Sequence, residues 1–211
     1  MKDNDPLASI TVQKQKKFGS LRIEGVIDST PFSLVFITYD CINRPDIISL
    51  LSKWRKMHEF WFQAQFPVSD DRTKEWLKKR VLDVSDRALF LIEAQDRYIG
   101  HVGLFRYDAK NQCIDIDNIV RGEEGYKGIM YASLQLLMEW ARKELGIKGF
   151  TLQTTSDNKK ALALYARLGF TQTKRTPLVY TKTEEGGEWR EAGDDTKGTI
   201  KRWAVFMKKI I

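Results

Sequence analysis

The chain has 211 residues, 42% of them hydrophobic and 11% aromatic, which is enough apolar content for a sizeable core and excludes a disordered or low-complexity protein. Its formal net charge of +7 suits anionic ligands, nucleic acid or an acidic membrane surface. No basic run has the context of a nucleic-acid reader, no apolar run is long enough to span a bilayer, and no signal peptide is recognisable. Cys41 and Cys113 form neither a metal-ligand pattern nor a disulfide framework, so a reduced, cytoplasmic setting without metal, membrane or nucleic-acid partner is expected.

Residues 1–18 are polar and basic, with Lys14, Lys16 and Lys17 clustered, and read as a mobile tail before a single domain over 19–211. Leu21 to Ile27 reads as a short strand, Asp28 to Pro31 as a turn, and Phe32 to Tyr39 as a second strand. Pro45 opens a helix whose apolar period runs through Ile47, Leu50 or Leu51, Trp54, Met57 or His58, and Trp61, with His58 read as a helix-surface residue rather than a catalyst. Its end is dense in rings: Phe60, Trp61, Phe62 and then Phe66. Another helix starts near Ser69-Asp70-Asp71 and continues through Trp76, Leu77 and Val81. Strands follow at Ala88 to Glu93 and Tyr98 to Tyr107, joined through Gln95-Asp96-Arg97, and a third starts at Cys113.

From Asp115 to Phe170 the pattern is strand, glycine-bearing turn, amphipathic helix, strand and capped helix, which is a βαβ unit with a second helix. Gly122, Gly125 and Gly128 interrupt the turn, and Arg121 and Lys127 add charge to it. A helix starting there exposes unpaired N–H groups and a partial positive charge, so the turn either cradles a pyrophosphate or is an ordinary connection. Met130, Leu134, Leu137, Ala141 and Leu145 give that helix one buried stripe, and Gly146 stops it. The last helix takes Ser156 or Asp157 as N-cap, buries Ala161, Leu164 and Leu168, and ends at Gly169. Asn158 and Tyr165, seven residues apart on nearly one face, stand about 10 Å apart along its axis.

Beyond Phe170 a strand through Val179 is expected, then a long polar connection over 184–198 in which Trp189 stands out, then a closing strand from Arg202 to Met207.

The segment SDNKKALALYARLGF resembles the second conserved motif of the GCN5-related N-acetyltransferases (GNAT), with Asn158, Tyr165 and Gly169-Phe170 at the family's spacing. VRGEEGYKGIM resembles their pyrophosphate loop, although Gly125 and Met130 depart from that loop's pattern. The likeness covers about residues 32–209 and is strongest over 98–170. It implies an α/β (α+β) fold: a mixed, mostly antiparallel central sheet flanked by helices, with a splayed βαβ cofactor site.

It further implies an acetyl-CoA-dependent transferase acting on a primary amine by direct attack. Ile119, Val120, Arg121, Gly125, Lys127, Gly128, Ile129 and Asn158 would hold coenzyme A, and Tyr165 would both contact it and protonate its thiolate. Asp117, then His101, then Glu123 are the candidate bases, and a water chain could replace all three. The aromatic residues and positive charge suit a small molecule or a nucleotide-linked amino sugar as acceptor. A peptide or protein α-amine is the alternative, as is a non-catalytic acyl-CoA sensor. A monomer or homodimer is expected.

Overall fold

A computed structural model describes residues 6–193 and 202–211. Ten strands form one sheet in the order β1-β2-β4-β5-β6-β7-β10-β8-β9-β3. They are β1 (Arg22–Ile27), β2 (Thr30–Phe36), β3 (Ala64–Gln65), β4 (Ala88–Ala94), β5 (Arg97–Asp108), β6 (Cys113–Arg121), β7 (Gly149–Thr155), β8 (Thr171–Thr183), β9 (Gly186–Glu191) and β10 (Arg202–Ile210). Every neighbouring pair is antiparallel except β6–β7. The helices are α1 (Pro6–Lys14), α2 (Pro45–Met57), α3 (Asp70–Trp76), α4 (Ile129–Leu145) and α5 (Lys159–Arg167). The turn Leu77–Leu82 prolongs α3 with a wider, π-helical winding. The architecture is therefore the mixed α/β, mostly antiparallel one that the sequence implies.

The sheet separates two apolar clusters, as alternation along half-buried strands requires. One holds Phe36, Phe90, Leu104, Phe150 and the stripe of α4 at Leu134, Leu137 and Ala141. The other holds Trp54, Leu51 and Ile47 of α2 against Leu77, Val81, Leu89 and Val120. The connection Gln95-Asp96 turns with φ of 51° and 58°, as a two-residue hairpin between right-twisted strands demands.

Two expectations need correction. The segment 1–18 contains α1, whose Ile10 and Lys14 are only 1% and 2% exposed. The Lys14 ammonium donates to the Val81 carbonyl at 3.0 Å and also to that of Val84, so distant backbone acceptors make burial of a polar helix tolerable. The 184–198 connection begins instead with a tight turn into β9, which pairs with β8 along its length. Trp189 lies in β9 and packs on Tyr180 at 5.3 Å. The rest of that stretch, from residue 194, lies outside the described residues.

Candidate active site

The one parallel pair of the sheet is short. β6 and β7 align at Cys113–Gly149, Ile114–Phe150 and Asp115–Thr151, and then part. From Ile116 onward the edge of β6 that faces β7 has no strand partner. A cavity of about 1090 Å³ opens there, between α4, α5, α2 and the two strand ends.

The β6 side is shaped by a bulge. Gly103 pairs with Asp117 and His101 with Val120, which leaves Asn118 and Ile119 opposite Val102 alone. Asn118 takes φ of 49°, which asparagine tolerates better than most residues. The bulge turns the Asn118 carbonyl toward His101, whose Nδ1 lies 2.6 Å away. Since a carbonyl only accepts, Nδ1 carries the proton and Nε2 keeps a lone pair. Burial lowers the imidazole pKa to about 4, against the opposing pulls of the Asn118 carbonyl and Asp117. His101 is thus neutral at pH 7.

Asp117 lies on the same strand but is engaged. Its Oδ2 accepts from the Arg87 guanidinium and from Asn118 Nδ2 at 2.8 Å. Glu123 faces elsewhere: its Oε1 accepts from Lys53 at 2.6 Å and from the Trp54 indole at 3.1 Å, and it does not line the cavity. The Lys53 bond, followed by the Trp54 bond, holds its carboxyl below the usual range.

The glycine-bearing turn joins β6 to α4. Gly128 is the N-cap of α4 with φ of 77°, and a Cβ there would lie 2.9 Å from Ile27 Cδ1. Gly122 packs under α2, where a Cβ would meet Trp54 Cε2 at 2.0 Å. His58 adds another tie, its Nε2 donating to the Arg121 carbonyl at 2.7 Å. Helix α2 thus clamps the turn through Trp54, Lys53 and His58. His58, expected at the helix surface rather than as a catalyst, is half-buried and lines the cavity.

Across the gap, α5 is capped by Asn158 itself, not by Ser156 or Asp157. Its Oδ1 accepts from Ala161 N at 3.2 Å, which leaves the amide Nδ2 for the cavity. Ser156 Oγ instead accepts from Trp203 N at 3.1 Å, and Asp157 pairs with Arg202 at 3.1 Å. Tyr165 is 5% exposed, packs edge-on against Phe170 at 6.3 Å, and lines the cavity. Burial raises its phenol pKa, so it stays protonated through neutral pH. Ala161 and Leu164, expected in the buried stripe, are half-buried and face the cavity.

Among the expected site residues, Tyr165, Asp117, His101, Ile119, Val120, Arg121, Gly128, Ile129 and Asn158 all line this one cavity. Gly125 and Lys127 do not; both are exposed on the outer side of the turn. Lys159, Lys160 and Arg167 of α5 line the cavity and were not singled out from sequence. Lys160 and Arg167 stand one turn from Leu164, so their i, i+4 and i, i+3 spacing to it was the signal available.

The family model for the acetyltransferase (GNAT) domain matches residues 38–171. The chain belongs to the GNAT acetyltransferase family. As a GNAT protein it is an N-acetyltransferase, with acetyl-CoA as its cofactor. A comparison with curated protein sequences found no match. Among solved structures, the GNAT fold is shared with RimL, a ribosomal L7/L12 α-N-protein acetyltransferase. The TM-score is 0.63 at 18% identity, over 93% of this chain and 98% of that one. It is also shared with spermidine N-acetyltransferase from Vibrio cholerae in complex with CoA and spermine, at TM-score 0.63 and 18% identity, over 85% and 95% of the two chains. A third is the microcin C7 self-immunity acetyltransferase in complex with acetyl-CoA and AMP, at TM-score 0.63 and 15% identity, over 85% and 92%. The first two act on different acceptors, a ribosomal protein and spermidine, and at such identities the likeness concerns the GNAT fold alone. Among the described residues no helix is long and apolar enough to cross a membrane.

Proposed function

We propose that the protein acetylates the primary amine of a small molecule or amino sugar by direct attack, with coenzyme A seated in the β6–β7 opening. One observation carries this reading: the sheet parts after Asp115, where the unpaired edge of β6, the glycine-capped start of α4, Asn158 and Tyr165 all face one cavity. The residues fit the cofactor. The edge of β6 from Ile116 to Val120 offers free backbone groups to the amides of a pantetheine arm. The N-terminus of α4 beyond Gly128 offers N–H groups to a pyrophosphate, with Arg121 beside it. Lys159, Lys160 and Arg167 supply positive charge for the remaining phosphate.

Bound acetyl-CoA supplies a thioester, at whose carbonyl carbon the amine nitrogen forms a C–N bond while the C–S bond breaks and the sulfur takes up a proton. His101 accepts a hydrogen bond from the attacking amine, because Nε2 is unprotonated and Nδ1 is fixed by the bulge carbonyl; its pKa of about 4 makes it a weak base, so the released proton passes on to solvent. Asp117, tied to Arg87 and Asn118, holds the bulge in place. Tyr165 donates a hydrogen bond to the leaving sulfur. Its raised pKa makes full transfer uphill toward a thiol, whose ordinary pKa is about 8.5, so solvent completes the protonation. Neither cysteine lines the cavity, and burial raises the Cys41 thiol to about 11, so neither serves as an acyl carrier.

The test is thiol release from acetyl-CoA across a panel of amines, with Tyr165→Phe alongside wild type. Loss of a hydrogen bond to the charged leaving sulfur costs about 1.5–3 kcal/mol, so Tyr165→Phe is expected to slow turnover roughly ten- to a hundredfold. No thiol release with any amine contradicts the function. Wild-type turnover in Tyr165→Phe removes the phenol from the mechanism.

A further inference from the structure

The arm of the cavity walled by α2, α3 and the 61–66 segment is built of guanidinium groups and rings. Arg55, Arg72, Arg87 and Arg106 line the cavity. Three of the four meet carboxylates: Arg72 with Glu185 at 3.1 Å, Arg106 with Asp115 at 3.6 Å, and Arg87 with Asp117. Arg55 meets none among the described residues. Its Nη2 donates to the Ala64 carbonyl, and its guanidinium carbon sits 3.6 Å from the Phe62 ring centroid and 5.0 Å from that of Phe66. The ring faces replace part of the lost hydration, but they accept no N–H hydrogen bond as a carboxylate or phosphate does. Among the described residues the bond to the Ala64 carbonyl engages one of the five donors on the fork. Burial lowers its pKa to about 10, so it is still charged at neutral pH.

A half-buried guanidinium at the wall of a cavity, with the Glu59 charge acting on it only from beyond contact distance and no ion pair among the described residues, is left open to an anionic partner. Arg55 also acts on His101, being one of the charges that depress the imidazole pKa, so its head lies within electrostatic reach of the proposed base.

We propose that Arg55 is the anion subsite of the acceptor, and that the acceptor is a small primary amine carrying its own phosphate or carboxylate. This rests on the acetyl-transfer reading above. The anion seats on the Arg55 fork between the Phe62 and Phe66 rings, and the amine reaches toward His101. A polyamine would instead place a second positive charge beside Arg55 and Arg72.

The test compares kcat/KM for matched amines: phosphoethanolamine against ethanolamine, glucosamine 6-phosphate against glucosamine, β-alanine against its amide, and spermidine as the cationic case. A charge-assisted pair of this kind gives the anionic members a preference of roughly ten- to a hundredfold. The phosphate and carboxylate pairs separate the two anion chemistries. Arg55→Gln brings the ratio toward one, and Arg55→Lys keeps only part of it, because an ammonium lacks the fork. Should Arg55→Gln misfold, inorganic phosphate on wild type decides: it inhibits competitively against the amine and not against acetyl-CoA. Equal rates for neutral and anionic amines, a preference for spermidine, an undiminished preference in a folded Arg55→Gln, or inhibition competitive only with acetyl-CoA each overturns the proposal. A protein that neither gains thermal stability from acetyl-CoA nor releases thiol with any amine fails the acetyl-transfer reading itself.

Discussion

Asn158 does two jobs with one amide, and two substitutions separate them. Its Oδ1 closes the first turn of α5 by accepting from Ala161 N at 3.2 Å. Its Nδ2 has no protein acceptor among the described residues and belongs to a side chain that lines the cavity. Asn158→Ala removes both groups. Loss of the cap costs about 1 kcal/mol, which for a chain of this size lowers Tm by roughly 2–4 °C. Loss of a neutral donor to the cofactor costs about 0.5–1.5 kcal/mol, or roughly two- to tenfold in coenzyme A affinity. Asn158→Asp keeps an acceptor at the cap, where negative charge is favoured by the helix dipole. It replaces the donor with an oxygen that repels a pantetheine carbonyl, so Tm holds while affinity falls at least as far as in the alanine variant. Thermal melts with calorimetric titration of coenzyme A read both quantities. If Asn158→Ala loses Tm while both variants bind coenzyme A as wild type does, the residue is a cap and nothing more.

Two further outcomes follow from packing and burial. Gly122→Ala places a methyl 2.0 Å from the buried Trp54 ring, so it should cost about 1–3 kcal/mol by overpacking and weaken coenzyme A binding as the turn shifts; wild-type Tm and affinity would show that the clamp from α2 is unimportant. His101 has a folded pKa of about 4, below an ordinary value of about 6.5, so the folded state resists protonation that the unfolded chain accepts. Stability is therefore full above about pH 6.5 and declines as pH falls toward 4, by about 2 kcal/mol at pH 5 and about 3 kcal/mol below both values. Urea unfolding at pH 7.5 and pH 5, compared with His101→Gln, should show a smaller acid loss in the variant. An equal loss in both proteins would place the acid sensitivity in other groups.

The legible parts of this chain were those written in local pattern. α4 announces itself by a four-three-four-four apolar period and a stop at Gly146, and α5 by its end at Gly169, although its cap is Asn158 and not the Ser156 or Asp157 before it. The hairpin at Gln95-Asp96 and the strands on either side are equally local. What escaped depends on partners far away in sequence. Helix α1 has a weak apolar pattern and is held through Lys14 by carbonyls near residues 81–84. Strand β9 is polar and glycine-rich, and exists because β8 supplies its ladder and Tyr180 its aromatic neighbour. Within the site, the pairing of Asp117 with Arg87 and the clamp of Trp54 and His58 on the glycine turn join elements 30 to 69 residues apart. No spacing rule reports such pairs. The bulge at Asn118 is a property of the β5–β6 register, which two strands read separately do not reveal.

The central claim is that the parting of β6 and β7 is where coenzyme A lies, and a crystal structure with coenzyme A tests it most directly. The account predicts the pyrophosphate against the turn from Arg121 to Ile129, the pantetheine arm along the free edge of β6 between Ile116 and Val120, Asn158 Nδ2 toward the arm and the sulfur beside the Tyr165 hydroxyl. Coenzyme A bound away from the turn, or a sulfur remote from both Tyr165 and His101, would contradict it.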